Sequence, residues 1–160
     1  MSEFPDRVYT QSEVEKANEL IRKGYKHCLI AHGSSGFKNK VEQALELVIT
    51  AGYYDFLRMY IRRIEEIDGL TQLRQAEAAI WANMYVVENS VDAASFFVQK
   101  ANIMKEYLEG RLYYGGEAEK RSGEKRIEFL KILKSKSKNR KVIEECERLL
   151  KMWNESSLIY

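Results

Sequence analysis

Tyr53-Tyr54-Asp55-Phe56-Leu57-Arg58-Met59-Tyr60-Ile61-Arg62-Arg63-Ile64-Glu65-Glu66-Ile67 is the stretch on which the fold class turns. Tyr53, Phe56, Leu57, Tyr60, Ile61 and Ile64 recur at i, i+3, i+4, i+7, i+8 and i+11. That recurrence puts them on one side of a 3.6-residue helix. The spacing predicts a helix over about 53–67, stopped by Asp68-Gly69.

The same period extends outward in both directions. Upstream, Val41, Ala44, Leu45, Val48 and Ile49 predict a helix over about 38–50, turned at Ala51-Gly52. Before it, Gly33-Ser34-Ser35-Gly36 breaks the chain just ahead of a helix N-terminus, where backbone donors favour an anion, although the stretch is too short and generic for a phosphate loop. Thr10-Gln11-Ser12-Glu13 has the form of a capping box. It opens a predicted helix over about 11–31 with Val14, Ala17, Leu20, Ile21, Tyr25 and Cys28 on its stripe. Gly24 inside that helix weakens it by about 1 kcal/mol relative to alanine. Downstream, helices are predicted over about 71–88 (Leu73, Ala76, Ile80, Trp81, Met84, Val87) and 91–109 (Val91, Ala94, Phe97, Val98, Ala101, Met104, Leu108). After the Tyr113-Tyr114-Gly115-Gly116 loop come two more, over about 117–134 and 140–154, separated by the polar linker Ser135–Asn139. The tail Ser156–Tyr160 is expected to fray or pack locally.

The expectation is an all-α chain: an irregular antiparallel helical bundle, or a short helical-hairpin solenoid of the tetratricopeptide kind, with six to seven helices. Composition agrees, since one proline and nine glycines are few for a β-rich fold with many turns. A length of 160 residues suits a single domain, 1–160, with a core over about 11–154. The absence of a long apolar run excludes a membrane span. The polar start Met1–Arg7 is not expected to be a signal peptide, and a cytoplasmic protein is the expectation.

Charge is uneven. Residues 111–160 carry a net +5 and residues 1–110 a net −3. Ten basic residues fall between Lys120 and Lys141, namely Lys120, Arg121, Lys125, Arg126, Lys131, Lys134, Lys136, Lys138, Arg140 and Lys141, against two acidic ones. Such a segment attracts phosphate and makes RNA a candidate partner. The opposing expectation is a solvated helix face.

Tyr54 and Tyr85 stand beside their helices' apolar stripes, and Tyr113 and Tyr114 mark a loop. Aromatics off the stripe imply a second buried face, hence association with another copy or another protein. These four tyrosines are the candidate interface.

Candidate chemistry is sparse. Cys28 and Cys146 lie in apolar contexts and are expected to be small buried residues. Cys28 and His32 are spaced for two ligands of a zinc site, but no third and fourth accompany them, so no metal and no cofactor are expected. Arg22-Lys23-Gly24-Tyr25-Lys26-His27 resembles the Arg–His motif of HEPN ribonucleases, which are helical bundles. The resemblance implies a dimer, with Arg22 steadying a phosphate and His27 moving a proton in metal-independent RNA cleavage. It covers six residues, and Lys23 departs from the family pattern. The leading functional expectation is a non-enzymatic interaction or assembly module, with nucleic-acid binding and the ribonuclease as alternatives.

Overall fold

The computed structural model describes residues 4–157. Its described residues form seven α-helices and a four-stranded sheet, which overturns the all-α expectation, whether as bundle or as helical repeat.

Helix α1 (Gln11–Arg22) carries the expected capping box: Thr10 accepts the Glu13 amide, and the Glu13 carboxylate accepts the Thr10 amide at 2.8 Å. It ends nine residues before its expected limit of 31. Gly24 takes φ +96°, the Gly24 amide donates to the Ile21 carbonyl and the Tyr25 amide to the Leu20 carbonyl. This is a Schellman stop, so Gly24 terminates the helix instead of weakening its middle. The chain then runs extended into strand β1 (Ile30–His32), with Leu29 left-handed at φ +59°.

Helix α2 (Ser35–Ala51) starts on an Ser34 cap and closes on Gly52. The expected helix over 53–67 divides into helix α3 (Tyr54–Tyr60) and strand β2 (Arg63–Glu66). Its stripe is still buried: Leu57, Ile61 and Ile64 are fully enclosed. The expected helix over 71–88 becomes strand β3 (Gln72–Arg74), a 3-10 turn (Gln75–Glu77), strand β4 (Ala79–Ala82) and a single turn of helix α4 (Met84–Val87). The remaining helices stand close to expectation: α5 (Ser90–Leu108), α6 (Gly116–Lys136) and α7 (Arg140–Ser157). Leu158–Tyr160, the end of the expected tail, lie outside the described residues.

The sheet order is β1-β2-β4-β3, with β1, β2 and β4 parallel and β3 antiparallel at one edge. Strand alternation splits its residues between two faces. Leu73, Ile64, Ile80 and Ala82 enter the hydrophobic core with Val41 and Val48 of α2 and Phe97, Val98 and Met104 of α5. Helix α5 is the centre of the fold. Ala93 on one side and Ser95 and Glu106 on the other are buried beyond the predicted stripe of Val91, Ala94, Phe97, Val98, Ala101, Met104 and Leu108, as a helix packed on several sides requires. Burying Phe97 alone contributes about 2–3 kcal/mol.

Candidate functional site

Register determines what the other face of the sheet displays. Ile30 lies opposite Arg63 and His32 opposite Glu65; Arg63 lies opposite Ala79 and Glu65 opposite Trp81; Trp81 lies opposite Gln72 and Ala79 opposite Arg74. All eight side chains therefore share the face turned away from the core. The face stays open to solvent at both edges, where Ile30 is 53% exposed and Gln72 and Arg74 are exposed.

A chain of polar contacts crosses this face. His32 Nδ1 lies 3.8 Å from Glu65 Oε1, a charged pair only when the imidazole is protonated. Arg63 Nε lies 3.3 Å from the same oxygen, and Arg63 Nη2 reaches Glu77 Oε1 at 3.1 Å. Glu77 Oε2 pairs with Arg74 Nε at 3.4 Å, and the Arg74 guanidinium lies over the Trp81 ring, 4.3 Å from its centroid. Trp81 Nε1 is a buried donor with no hydrogen-bond partner among the described residues. The face thus offers paired charges, one large aromatic and one exposed aliphatic residue. Its side chains can make ionic, stacking and apolar contacts with a second surface.

Arg22 and His27 fall on different elements. Arg22 is exposed in the last turn of α1, whereas His27 lies in the extended segment beyond it and is 2% exposed. The His27 ring sits edge-on to Phe4 at 4.4 Å and to Tyr25 at 5.1 Å. Its amide donates to the Arg58 carbonyl, and its carbonyl accepts Arg58 Nε at 2.8 Å. Burial first, then the charges of Arg62 and Arg58, push the imidazole pKa down to about 4. Neutral at pH 7 and enclosed, with Nε2 unpartnered among the described residues, it is held as a core residue.

The ten basic residues lie along α6, the turn after it and the start of α7, and five of them are in ion pairs within the chain. Arg121 grips the buried Glu106 through Nε at 2.8 Å and Nη2 at 3.2 Å. Lys125 pairs with Glu128, Arg126 with Asp92, Lys134 with Glu147 and Arg140 with Glu144. Lys120, Lys131, Lys136, Lys138 and Lys141 are exposed.

Of the candidate interface tyrosines, Tyr54 is half-buried beneath Arg58, and Tyr113 lies edge-on between Tyr107 and Tyr114. Tyr85 and Tyr114 are exposed. Cys146 is buried as expected, but Cys28 is exposed, because the segment that carries it is not helical.

Sequence reasoning passed over Arg63, Glu65, Arg74 and Glu77, and placed Trp81 on the inward stripe of a helix that the structure replaces with β4. The available signal was the polar-apolar-polar alternation of Gln72-Leu73-Arg74 and of Arg63-Ile64-Glu65, three residues each.

The chain matches no protein-family model, no curated protein and no solved structure. Among the described residues no helix is long and apolar enough to cross a membrane, and no group of three His, Cys, Asp or Glu side chains could hold a metal ion.

Proposed function

We propose that this chain is a non-enzymatic assembly module that associates with a second copy of itself through the open sheet face. The observation that carries this reading is a mostly parallel sheet with its core on one side only. Parallel strands are ordinarily covered on both faces. The uncovered face also has the composition of an interface centre, with Trp81, Arg63, Arg74 and Ile30 together.

Its charges suit a two-fold partner. One row across the strands holds Ile30, Arg63, Ala79 and Arg74; the next holds His32, Glu65, Trp81 and Gln72. A copy related by a two-fold axis lays the arginine row of one subunit on the Glu65 and Trp81 row of the other. On this reading the association surface lies on the sheet, not on Tyr54 and Tyr85 of α3 and α4 or on Tyr113 and Tyr114 of the loop before α6.

Light scattering coupled to size exclusion tests the proposal. The expected result is a dimer that Ile30→Asp converts to a monomer with an unchanged circular dichroism spectrum. Ile49→Asp, equally exposed but on α2, leaves the dimer intact. A wild-type monomer at about 100 µM, weaker than a functional dimer of standard interface size, overturns the reading.

A second reading, RNA binding through residues 120–141, is favoured by the exposed Lys136, Lys138 and Lys141 around the α6–α7 turn. It predicts co-eluting 260 nm absorbance that strips off between about 50 and about 200 mM salt.

A further inference from the structure

Leu70 and Tyr85 are 86% and 89% exposed, the highest values among the large hydrophobic residues described, and both line one groove. The groove encloses about 450 Å³ beyond the C-terminal ends of β2 and β4. The C-terminal side of parallel strands is where open α/β sheets take their ligands.

Its walls are held in place before anything binds. The Asn83 amide donates to Thr71 Oγ1 at 3.1 Å, and Asn83 Nδ2 donates to the Gly69 carbonyl at 3.1 Å. Asn83 Oδ1 accepts the Val86 amide at 3.1 Å, and the Ile67 amide donates to the Ala82 carbonyl at 2.9 Å. One asparagine thereby clamps the 67–71 loop to the start of α4. A pre-organised groove avoids the ordering cost of binding.

Its chemistry is one-sided. Glu66 and Asp68 line it, together with the apolar Leu70, Met84 and Tyr85, and among the described residues no lysine or arginine does. A cation is therefore complementary to it and an anion is not. Leu70 and Tyr85 leave most of their surface to solvent at the groove, which suits an extended partner better than an enclosed small molecule. We propose that this groove docks a peptide segment of a partner protein in which an apolar side chain neighbours lysine or arginine. Asp68 would face the cation, with Glu66, whose Oε1 holds the Ser34 amide, adding its charge from behind, and Leu70, Met84 and Tyr85 would face the apolar side chain.

The proposal stands apart from self-association, because none of these residues is on the open sheet face. A random 12-residue peptide library displayed on phage, selected on the wild-type chain, tests it. The double variant Leu70→Asp with Tyr85→Asp serves for counter-selection. Selection is expected to enrich peptides with Lys or Arg beside Leu, Ile, Phe or Trp. A synthetic peptide of the enriched sequence should lose about tenfold or more in affinity, by fluorescence anisotropy, to Asp68→Lys and to the double variant. Leu112→Asp, exposed elsewhere, should leave its affinity unchanged. No enrichment over the double variant, an acidic consensus, or binding indifferent to Asp68→Lys would each overturn the proposal. Ile30→Asp should leave peptide binding untouched, so failure here and failure of the dimer are read separately.

Discussion

Glu66 Oε1 accepts the backbone amide of Ser34 at 2.8 Å, so a carboxylate at the end of β2 occupies the N-terminus of α2. The contact depends on Gly33, because a Cβ there would fall 2.6 Å from Glu66 Cβ and 2.9 Å from the Phe37 ring. Negative charge at a helix N-terminus is stabilising, and the bond satisfies one of the open amide donors. Gly33→Ala is expected to cost about 1–3 kcal/mol through overpacking. Glu66→Ala should cost about 1–2 kcal/mol through the lost charge-assisted bond. Urea unfolding reads both, and a Gly33→Ala protein as stable as wild type would show that the β1–α2 junction is looser than the structure has it.

His27 gives stability a pH dependence of known sign. Its ordinary pKa is 6.5, and in the fold burial and two arginines lower it to about 4. The unfolded chain therefore takes up the proton first as pH falls. The stabilisation is complete above pH 6.5 and is lost progressively down to pH 4, by about 3 kcal/mol in total. Carboxylates such as Glu128 and Glu145, held low by their Tyr53 and Arg148 hydrogen bonds, add an acid sensitivity of the same sign at lower pH. The difference between wild type and His27→Phe isolates the histidine. Unfolding free energies from pH 7 to pH 4 should converge or cross as pH falls, and parallel curves would contradict a buried neutral imidazole.

The two cysteines should separate in reactivity. Cys28 is exposed, whereas Cys146 is buried on α7 and its thiol is pushed up to about 11, by burial and then by Glu145. The thiolate is the reactive form. At about pH 8, Ellman's reagent should therefore modify one thiol rapidly and the second only on unfolding, and Cys28→Ser should abolish the fast phase. Two fast equivalents in the wild-type chain would mean that α7 opens readily.

The helical half of the fold was legible because its elements are long enough to show their period. Helices α2, α5, α6 and α7 run 17 to 21 residues, and α1 announced its start through Thr10 and Glu13. The sheet was not legible, since each strand has only three or four residues and alternation needs more than that to declare itself. Tyr60, Ile61 and Ile64 satisfy a helical stripe and are buried, yet the chain changes from helix to strand between them. Ala79-Ile80-Trp81-Ala82 is an apolar run that reads equally as buried helix or buried strand. The left-handed residues that lead into β1 and β4, Leu29 and Ala78, are not glycines, so no residue type flagged them. The open face was hidden for the same reason. Arg63, Glu65, Arg74 and Trp81 come together only through the register of the strands that carry them.

Arg126 distinguishes structural from available charge in the basic segment. Its side chain is 12% exposed and bridges α6 to α5. Nε donates to Ser95 Oγ at 2.9 Å, Nη1 to Gln99 Oε1 at 3.2 Å and Nη2 to Asp92 Oδ1 at 2.6 Å. The guanidinium plane also lies 5.0 Å from the Trp153 ring centroid, tying in α7. Removing it strands the buried Ser95 hydroxyl without this donor and leaves Asp92 without its cation, so Arg126→Ala should cost about 2–4 kcal/mol. Lysine keeps the charge but not the planar fork, and Arg126→Lys should recover only part of that loss. Lys138, exposed on the α6–α7 turn, should be silent within about 0.5 kcal/mol when changed to alanine. Nucleic-acid binding through this segment would reverse the order. Lys138→Ala would then lower the salt slope by about one while stability stayed constant. Urea unfolding and a salt titration of RNA binding on the three variants measure the two effects independently, and a stable Arg126→Ala protein with a reduced salt slope would assign Arg126 to phosphate instead of to the α5–α6 packing.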